Sequence, residues 1–177
     1  MAVPNSFFLG LIVGVLALFV SPSSVSPNKS GSVKKVKRSL WLGTSAFYVS
    51  LVVYRCFLNR EPGSYGQLDL RLWNTVESVS GYHYFIDNVI MFIPAGVLLL
   101  LATRAVWKSV GQCMAACVII GVAISLAIES LQVVTGVGVF HIDDLVANGI
   151  GTVIGCVMCT PFLVPGSRLR ERGRAEG

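Results

Sequence analysis

Long apolar runs constrain this chain more than any other feature of its sequence. Five runs cover residues 5–20, 40–58, 85–102, 112–134 and 145–163. Most of them approach the roughly 20 apolar residues that one helical membrane crossing needs. Charged residues make up only 13% of the chain, and the mean hydropathy is +0.72, whereas soluble domains carry about 25% charged residues. The sequence therefore predicts an all-α, polytopic membrane helix bundle with about five transmembrane helices.

Basic residues set the expected orientation of these helices. Cytoplasmic loops of membrane proteins are enriched in lysine and arginine. With the N-terminus outside, all but Arg55, Arg60 and Arg71 of the 14 basic residues fall on the cytoplasmic side. We predict an N-terminal membrane anchor (1–25), a basic and flexible cytoplasmic linker (26–39), a helical membrane domain (40–165) and a basic cytoplasmic tail (166–177).

The polar stretch between the second and third runs carries an apolar pattern of its own. Four apolar residues recur at helical spacing: Leu68, Leu72, Val76 and Val79. Such a pattern predicts an amphipathic helix that lies in the membrane interface. Aromatic residues suited to the lipid headgroup region lie in or next to the same stretch: Tyr65, Trp73, Tyr82 and Tyr84.

Composition also bears on partners and cofactors. The net charge of +5 does not indicate nucleic acid, because the basic residues lie beside apolar runs. The expected partner is the lipid bilayer. Cys113, Cys117, Cys156 and Cys159 are expected to be membrane-embedded packing residues rather than disulfides, and Cys56 stands alone. His83 and His141 lack metal-ligand spacing, so we predict neither a metal site nor a cofactor.

Polar residues embedded in the apolar runs are the candidate site. Buried ionisable residues in a membrane are costly and are commonly functional. Four runs direct such groups into the outer half of the predicted bundle, and we take them as ligand-binding candidates: Arg55, Asp87, Asn88, Glu129, Gln132, Asp143, Asp144 and Asn148. The cytoplasmic half lacks a continuing polar path, which argues against transport.

Glu129 is the most informative member of this set. It lies about 7.5 Å from the predicted helix C-terminus, at 1.5 Å per residue, where the helix dipole disfavours an anion. It therefore needs a partner or a proton, and Arg55 is the embedded cation at similar depth. The other acids have simpler explanations, since Asp87, Asp143 and Asp144 are predicted near helix N-termini, where carboxylates cap free N–H groups. Asn88 and Asn148 suit interhelical hydrogen bonds.

Three ordered motifs give the chain a family resemblance. Residues 88–96 fit N-x-x-x-F-x-P-x-G, residues 129–132 fit E-x-x-Q, and residues 141–151 fit D-I-D-D-x-x-x-N-x-x-G except at the first position. In this order the motifs resemble the VanZ-like family of small bacterial membrane proteins, and an arginine near the end of the preceding helix fits Arg55. The resemblance leaves out the first 40 residues and the tail.

Two departures from the family pattern concern charge. The family often has Gly-Arg before the D-I-D-D motif, where this chain has Val137 and Gly138, and His141 replaces the first aspartate. If the family's arginine binds a phosphate or carboxylate, this chain lacks that group or uses Arg60 or Arg71 in its place.

The resemblance implies a multi-pass protein of the bacterial cytoplasmic membrane with a role in the cell envelope. The founding member is associated with low-level resistance to the glycopeptide teicoplanin. One hypothesis is a non-catalytic protein that binds a lipid-linked cell-wall component. A second is a membrane enzyme acting on a lipid-linked or phosphorylated envelope substrate, with Glu129 or Asp144 as acid or base. A third is a transporter or a chaperone-like partner.

Overall fold

The computed structural model describes residues 30–60, 62–63, 66–74, 77–104, 106–107 and 109–162. Helix α1 (Ser30–Val53) continues directly into a π-helical turn (Tyr54–Leu58). Helices α2 (Val79–Thr103), α3 (Val110–Thr135) and α4 (Ile142–Cys159) follow, and a 3₁₀ turn (Thr160–Phe162) extends α4. Two short strands, β1 (Leu68–Asp69) and β2 (Phe140–His141), lie in the connections.

Four helices are long and apolar enough to cross a membrane, and their spans are Ser39–Leu58, Val79–Thr103, Val110–Thr135 and Ile142–Cys159. The expectation of an all-α membrane bundle is confirmed. The predicted run at residues 5–20 lies outside the described residues, as does the basic tail. Because α1 begins at Ser30, residues 30–39 of the predicted flexible linker are helical.

Local sequence explains where the helices begin and end. Ser78 and Ser109 precede α2 and α3, and each hydroxyl accepts a backbone N–H from the first turn of its helix, which satisfies a donor that has no partner within the helix. Gly136 ends α3 with a φ of 70°, a left-handed conformation that glycine adopts at low cost. We call the end of the bundle where α1 ends and α4 begins the pocket end, because a polar pocket described below opens there. The opposite end, which contains Cys113, Cys117, Cys156 and Cys159, is called the thiol end.

Helices α2 and α4 make the closest contact in the bundle, through glycines. A Cβ atom on Gly151 would collide with the carbonyl of Val89, and one on Gly155 with the carbonyl of Ile93. The Gly-x-x-x-Gly spacing therefore lets two helix backbones touch, as small residues do between membrane helices. Pro94 lies buried within α2.

Helix α1 is held to the bundle by polar contacts. The Tyr48 hydroxyl donates a hydrogen bond to the carbonyl of Met91 on α2 at 3.1 Å. Nearer the pocket end, the Gln132 side-chain amide on α3 donates to the carbonyl of Cys56 at 3.0 Å. The second contact fixes the π-helical turn of α1 against the helix that carries Glu129.

The thiol end is packed with small side chains. All five cysteines are free and buried, and Thr103 Oγ1 lies 3.5 Å from Cys113 Sγ and 3.4 Å from Cys117 Sγ. Cys156 donates to the carbonyl of Gly96 at 3.5 Å. These thiols fill space between α2, α3 and α4, in agreement with the predicted packing role.

The connection between α1 and α2 is extended where a helix was expected. In its described part, residues 66–74, β1 pairs in parallel with β2, with Leu68 opposite Phe140 and Asp69 opposite His141. The prediction of an interfacial amphipathic helix is therefore wrong for residues 66–74. The leucines at 68, 70 and 72 alternate with Asp69 and Arg71, and a repeat of two residues is that of a strand.

Candidate functional site

A polar pocket of about 550 Å³ opens at the pocket end, between α1, α2 and the connection that leads into α4. Its polar lining comes from every one of these elements: Arg55, Asn59, Arg60, Tyr84, Asp87, Asn88, His141 and Asp144. Cys56, Met91 and the backbone at 137–139 complete the wall. The π-helical turn contributes Arg55 and Cys56, and π turns are frequent at functional sites.

Arg55 pairs with Asp87. Its guanidinium forms an ion pair and a hydrogen bond with the Asp87 carboxylate. The predicted pairing of Arg55 with Glu129 is thus replaced by a contact with α2. The reason is that α2 begins at Val79, which places Asp87 two turns inside the helix and level with Arg55 rather than at a helix N-terminus.

Glu129 and Asp144 lie on facing helices, close enough for each charge to act on the other. Both are almost fully buried, at 3% and 5% exposure. The backbone N–H of His141 donates to Glu129 at 3.4 Å, and the Asp144 carboxylate reaches the Asn88 side chain. Two carboxylates this close repel each other when both are charged, so this pair is suited to holding a proton or facing a cation.

Arg60 supplies that cation. Its Nη1 atom would lie 3.0 Å from a Cβ atom on the buried Gly138, and it is close enough to act electrostatically on both Glu129 and Asp144. Within the part of the chain that the structure describes, Arg60 has no ion pair within 4.0 Å. It therefore presents a half-buried positive charge to the pocket.

Two predicted amides lie behind the pocket wall. Gln132 uses its amide N–H on Cys56, and Asn148 donates to the Ser125 hydroxyl at 2.8 Å. Their side-chain oxygens are buried and accept no hydrogen bond from any residue described by the structure. Unsatisfied buried acceptors are costly, so Gln132 and Asn148 each carry a polar penalty behind the pocket wall.

A buried polar seam runs from the carboxylates toward the thiol end. It consists of residues every fourth position on two antiparallel helices, Cys117, Gly121, Ser125 and Glu129 on α3 and Cys156, Thr152, Asn148 and Asp144 on α4. Beyond Glu129 and Asp144 the seam consists of glycine and of small hydroxyl, amide and thiol side chains, so the expectation that no polar path continues into the cytoplasmic half stays a prediction. The seam is closely packed, because Thr152 fills the space beside Gly121.

Asp143 and Asp69 hold the 66–74 segment. Asp143 is 1% exposed and accepts the backbone N–H of Trp73 at 2.7 Å, so its role extends beyond the predicted cap. The carboxylate of Asp69 lies 4.0 Å from His141 Nδ1. Backbone and side-chain hydrogen bonds from Arg71 and from the Asn74 amide hold the pKa of Asp69 below its usual 3.8, which keeps this carboxylate charged.

The eight predicted residues thus divide into two groups. Four line the pocket (Arg55, Asp87, Asn88 and Asp144), and four are buried behind it (Glu129, Gln132, Asp143 and Asn148). Sequence reasoning left Asn59, Tyr84 and His141 out of the site, and it named Arg60 only together with Arg71, as a possible replacement for the arginine missing at residues 137–138. In the described ranges, no group of three or more His, Cys, Asp and Glu side chains is placed to hold a metal ion.

The ordered motifs meet at this pocket, since Asn88, Glu129, Gln132, Asp144 and their neighbours come from all three. A family model described as VanZ/LLP1 matches residues 7–164. The chain belongs to the VanZ/LLP1 family. The match extends the resemblance into the first 40 residues, which the motifs alone had left out. No curated protein and no solved structure matches this VanZ/LLP1 chain.

Proposed function

We propose that this VanZ/LLP1 protein binds an anionic, lipid-linked component of the cell envelope in the polar pocket, without catalysing a reaction. The pocket end would face outward from a bacterial cytoplasmic membrane. Occupation of the pocket would alter how glycopeptides such as teicoplanin reach their targets, in line with the resemblance that the sequence carries.

The observation that carries this proposal is the position of Arg60. The Arg55 charge is countered by Asp87, whereas Arg60 faces the pocket from above Gly138. Guanidinium groups bind phosphates and carboxylates in a bidentate manner. In a family that often carries arginine at the aligned position, Arg60 would place the same group at the same point from a different part of the chain.

Mass spectrometry of co-purifying lipid tests the proposal. The wild-type protein should retain an anionic lipid in excess over its share of the membrane, and Arg60→Gln should lower that excess at least about tenfold, since charge-assisted bonds contribute about 1.5–3 kcal/mol. Arg71→Gln is the matched control, because Arg71 is 79% exposed and contacts Asp69 outside this pocket. Equal retention by both variants would contradict the proposal.

A membrane enzyme is the second candidate function. The adjacent, buried Glu129 and Asp144 favour it, because pairs of carboxylates in unlike environments serve as acid and base. Glu129→Gln separates the two functions. A binding protein should keep most of its lipid, whereas an enzyme should lose turnover and accumulate unreacted lipid. A stably inserted Glu129→Gln protein with unchanged lipid profile and glycopeptide susceptibility would argue against the enzyme, and the Arg60 variants would then decide the binding proposal.

The outward orientation has its own test. In a background without native cysteines, a cysteine at Ser64 should react with a membrane-impermeant maleimide in intact cells, and a cysteine at Ser30 should react only after lysis. Reaction at Ser30 alone would reverse the topology and place the pocket on the cytoplasmic side.

A further inference from the structure

The 66–74 segment carries an apolar face that turns away from the bundle. Leu68, Leu70 and Leu72 are 62%, 62% and 55% exposed. Because side chains alternate along an extended chain, the intervening Asp69 points back to His141 and Asn74. The strand itself ends at Asp69 and residues 72–74 form a turn, so the segment presents three exposed leucines along this short extended stretch and the turn that follows it.

Two contacts attach this segment to the start of α4. Its strand pairs with β2, directly before α4, and the Trp73 backbone is bonded to Asp143 in the first turn of that helix. Trp73 is held at a φ of 67°, an uncommon conformation for a large residue. Its ring is 54% exposed and packs at 6.2 Å from the ring of Phe85 on α2.

The surface beside the segment belongs to a membrane-spanning helix. Val79 and Tyr82 open α2 and are 80% and 53% exposed, and this helix is long and apolar enough to cross a bilayer. Trp73 joins the segment to this helix through its contact with Phe85, so the exposed leucines lie on a segment attached to the start of a candidate membrane span. Tryptophan and tyrosine concentrate at that depth, where their rings meet the headgroups.

We propose that the leucine face of residues 66–74 inserts into the bilayer interface, at the boundary of headgroups and acyl chains. Insertion removes apolar side chains from water, and hydrophobic burial favours it. His141 lies opposite Asp69 and also lines the polar pocket. One wall of the pocket is therefore attached directly to a segment that the membrane surface holds.

Fluorescence of Trp73 tests this inference in the full-length protein. Trp41→Phe and Trp107→Phe leave Trp73 as the single tryptophan, and the protein is reconstituted into phosphatidylcholine vesicles. Lipid brominated near the headgroup end of its chains should quench Trp73 strongly, lipid brominated near the chain ends should quench it less, and aqueous iodide least. Strong quenching by iodide with none by either brominated lipid would overturn the inference.

A second variant tests the contribution of the leucines themselves, in the same single-tryptophan protein. Leu68, Leu70 and Leu72 are exposed, so changing all three to serine should leave the fold intact. In the single-tryptophan protein this change should shift the Trp73 emission to longer wavelength and reduce quenching by brominated lipid. Unchanged emission and quenching would contradict insertion. Protection of Trp73 from both iodide and brominated lipid would show that protein covers the face, which also overturns it.

Discussion

Helix α4 packs against its two neighbours in different ways. Toward α2 it presents Gly151 and Gly155, and the helix backbones touch. Toward α3 it presents a polar row that begins at Asp144 and continues through Asn148 and Thr152. The glycine contact brings backbone against backbone and needs no polar side chain, whereas the second face buries several polar side chains in what we take to be the interior of the membrane.

The difference indicates separate tasks for the two faces. Apolar side chains gain little by leaving lipid for protein, so close contact is a main source of stability between membrane helices. The glycine face is therefore expected to contribute most to stability. The polar seam is a costlier way to join two helices, and it leads directly to Glu129 and the pocket, which fits a role in function.

The largest expected effect comes from Gly151→Ala. Its added methyl group meets the backbone carbonyl of Val89, which cannot move aside without separating α2 from α4. We expect a loss of at least about 2 kcal/mol in the free energy of unfolding, as for overpacked cores. Gly149→Ala is the control on the same helix, because its methyl group would have only ordinary contact with Val122. Denaturation in mixed micelles measures both, and equal losses would remove the distinction between the faces.

A smaller effect is expected on the seam from Gly121→Ala. The new methyl group would meet the side chain of Thr152, which can rotate or be shortened. We expect a loss of about 1 kcal/mol, most of which Thr152→Ala should restore in the double variant. The same micelle denaturation gives both values. Failure of the second substitution to restore stability would show that this contact is as rigid as the glycine face.

The smallest effect is expected for the hydrogen bond between Asn148 and Ser125. A double-mutant cycle with Ser125→Ala and Asn148→Ala should give a coupling of about 0.6 kcal/mol, the average for hydrogen bonds between membrane helices. A coupling of several kcal/mol would instead show that the polar seam is a main source of stability. The polar seam, and not the glycine face, would then be the stabilising side of α4.

Much of the fold could be predicted from the sequence because lipid imposes simple requirements on it. Apolar length located all four described spans. The start of α2 was placed too late, because residues 79–84 include polar and aromatic side chains that hydropathy does not assign to a span. The segment with Leu68 and Leu72 was misassigned because four-residue spacing also fits an alternating strand.

The site was harder to predict because its partners come from distant parts of the chain. Sequence identified Glu129 as an acid in need of a partner but chose Arg55 by depth alone. The true arrangement depends on the start of α2, which brings Asp87 to Arg55, and on the π-helical turn after Val53. Arg60 follows that turn and reaches Gly138 only in the folded bundle. Helical spacing carries no information on such a contact.

Relocating the Arg60 charge tests the central claim most directly. The measurement is binding of phosphatidic acid, relative to phosphatidylcholine, by native mass spectrometry of the purified protein. Arg60→Ala should lose the preference for phosphatidic acid. Adding Gly138→Arg should restore it, because removal of Arg60 takes away the nearest atom to a Cβ at residue 138 and leaves the Gln132 side chain, 3.3 Å away, to adjust by a few tenths of an ångström. A preference that survives Arg60→Ala, or that the relocated arginine does not restore, would contradict an anion site at this position.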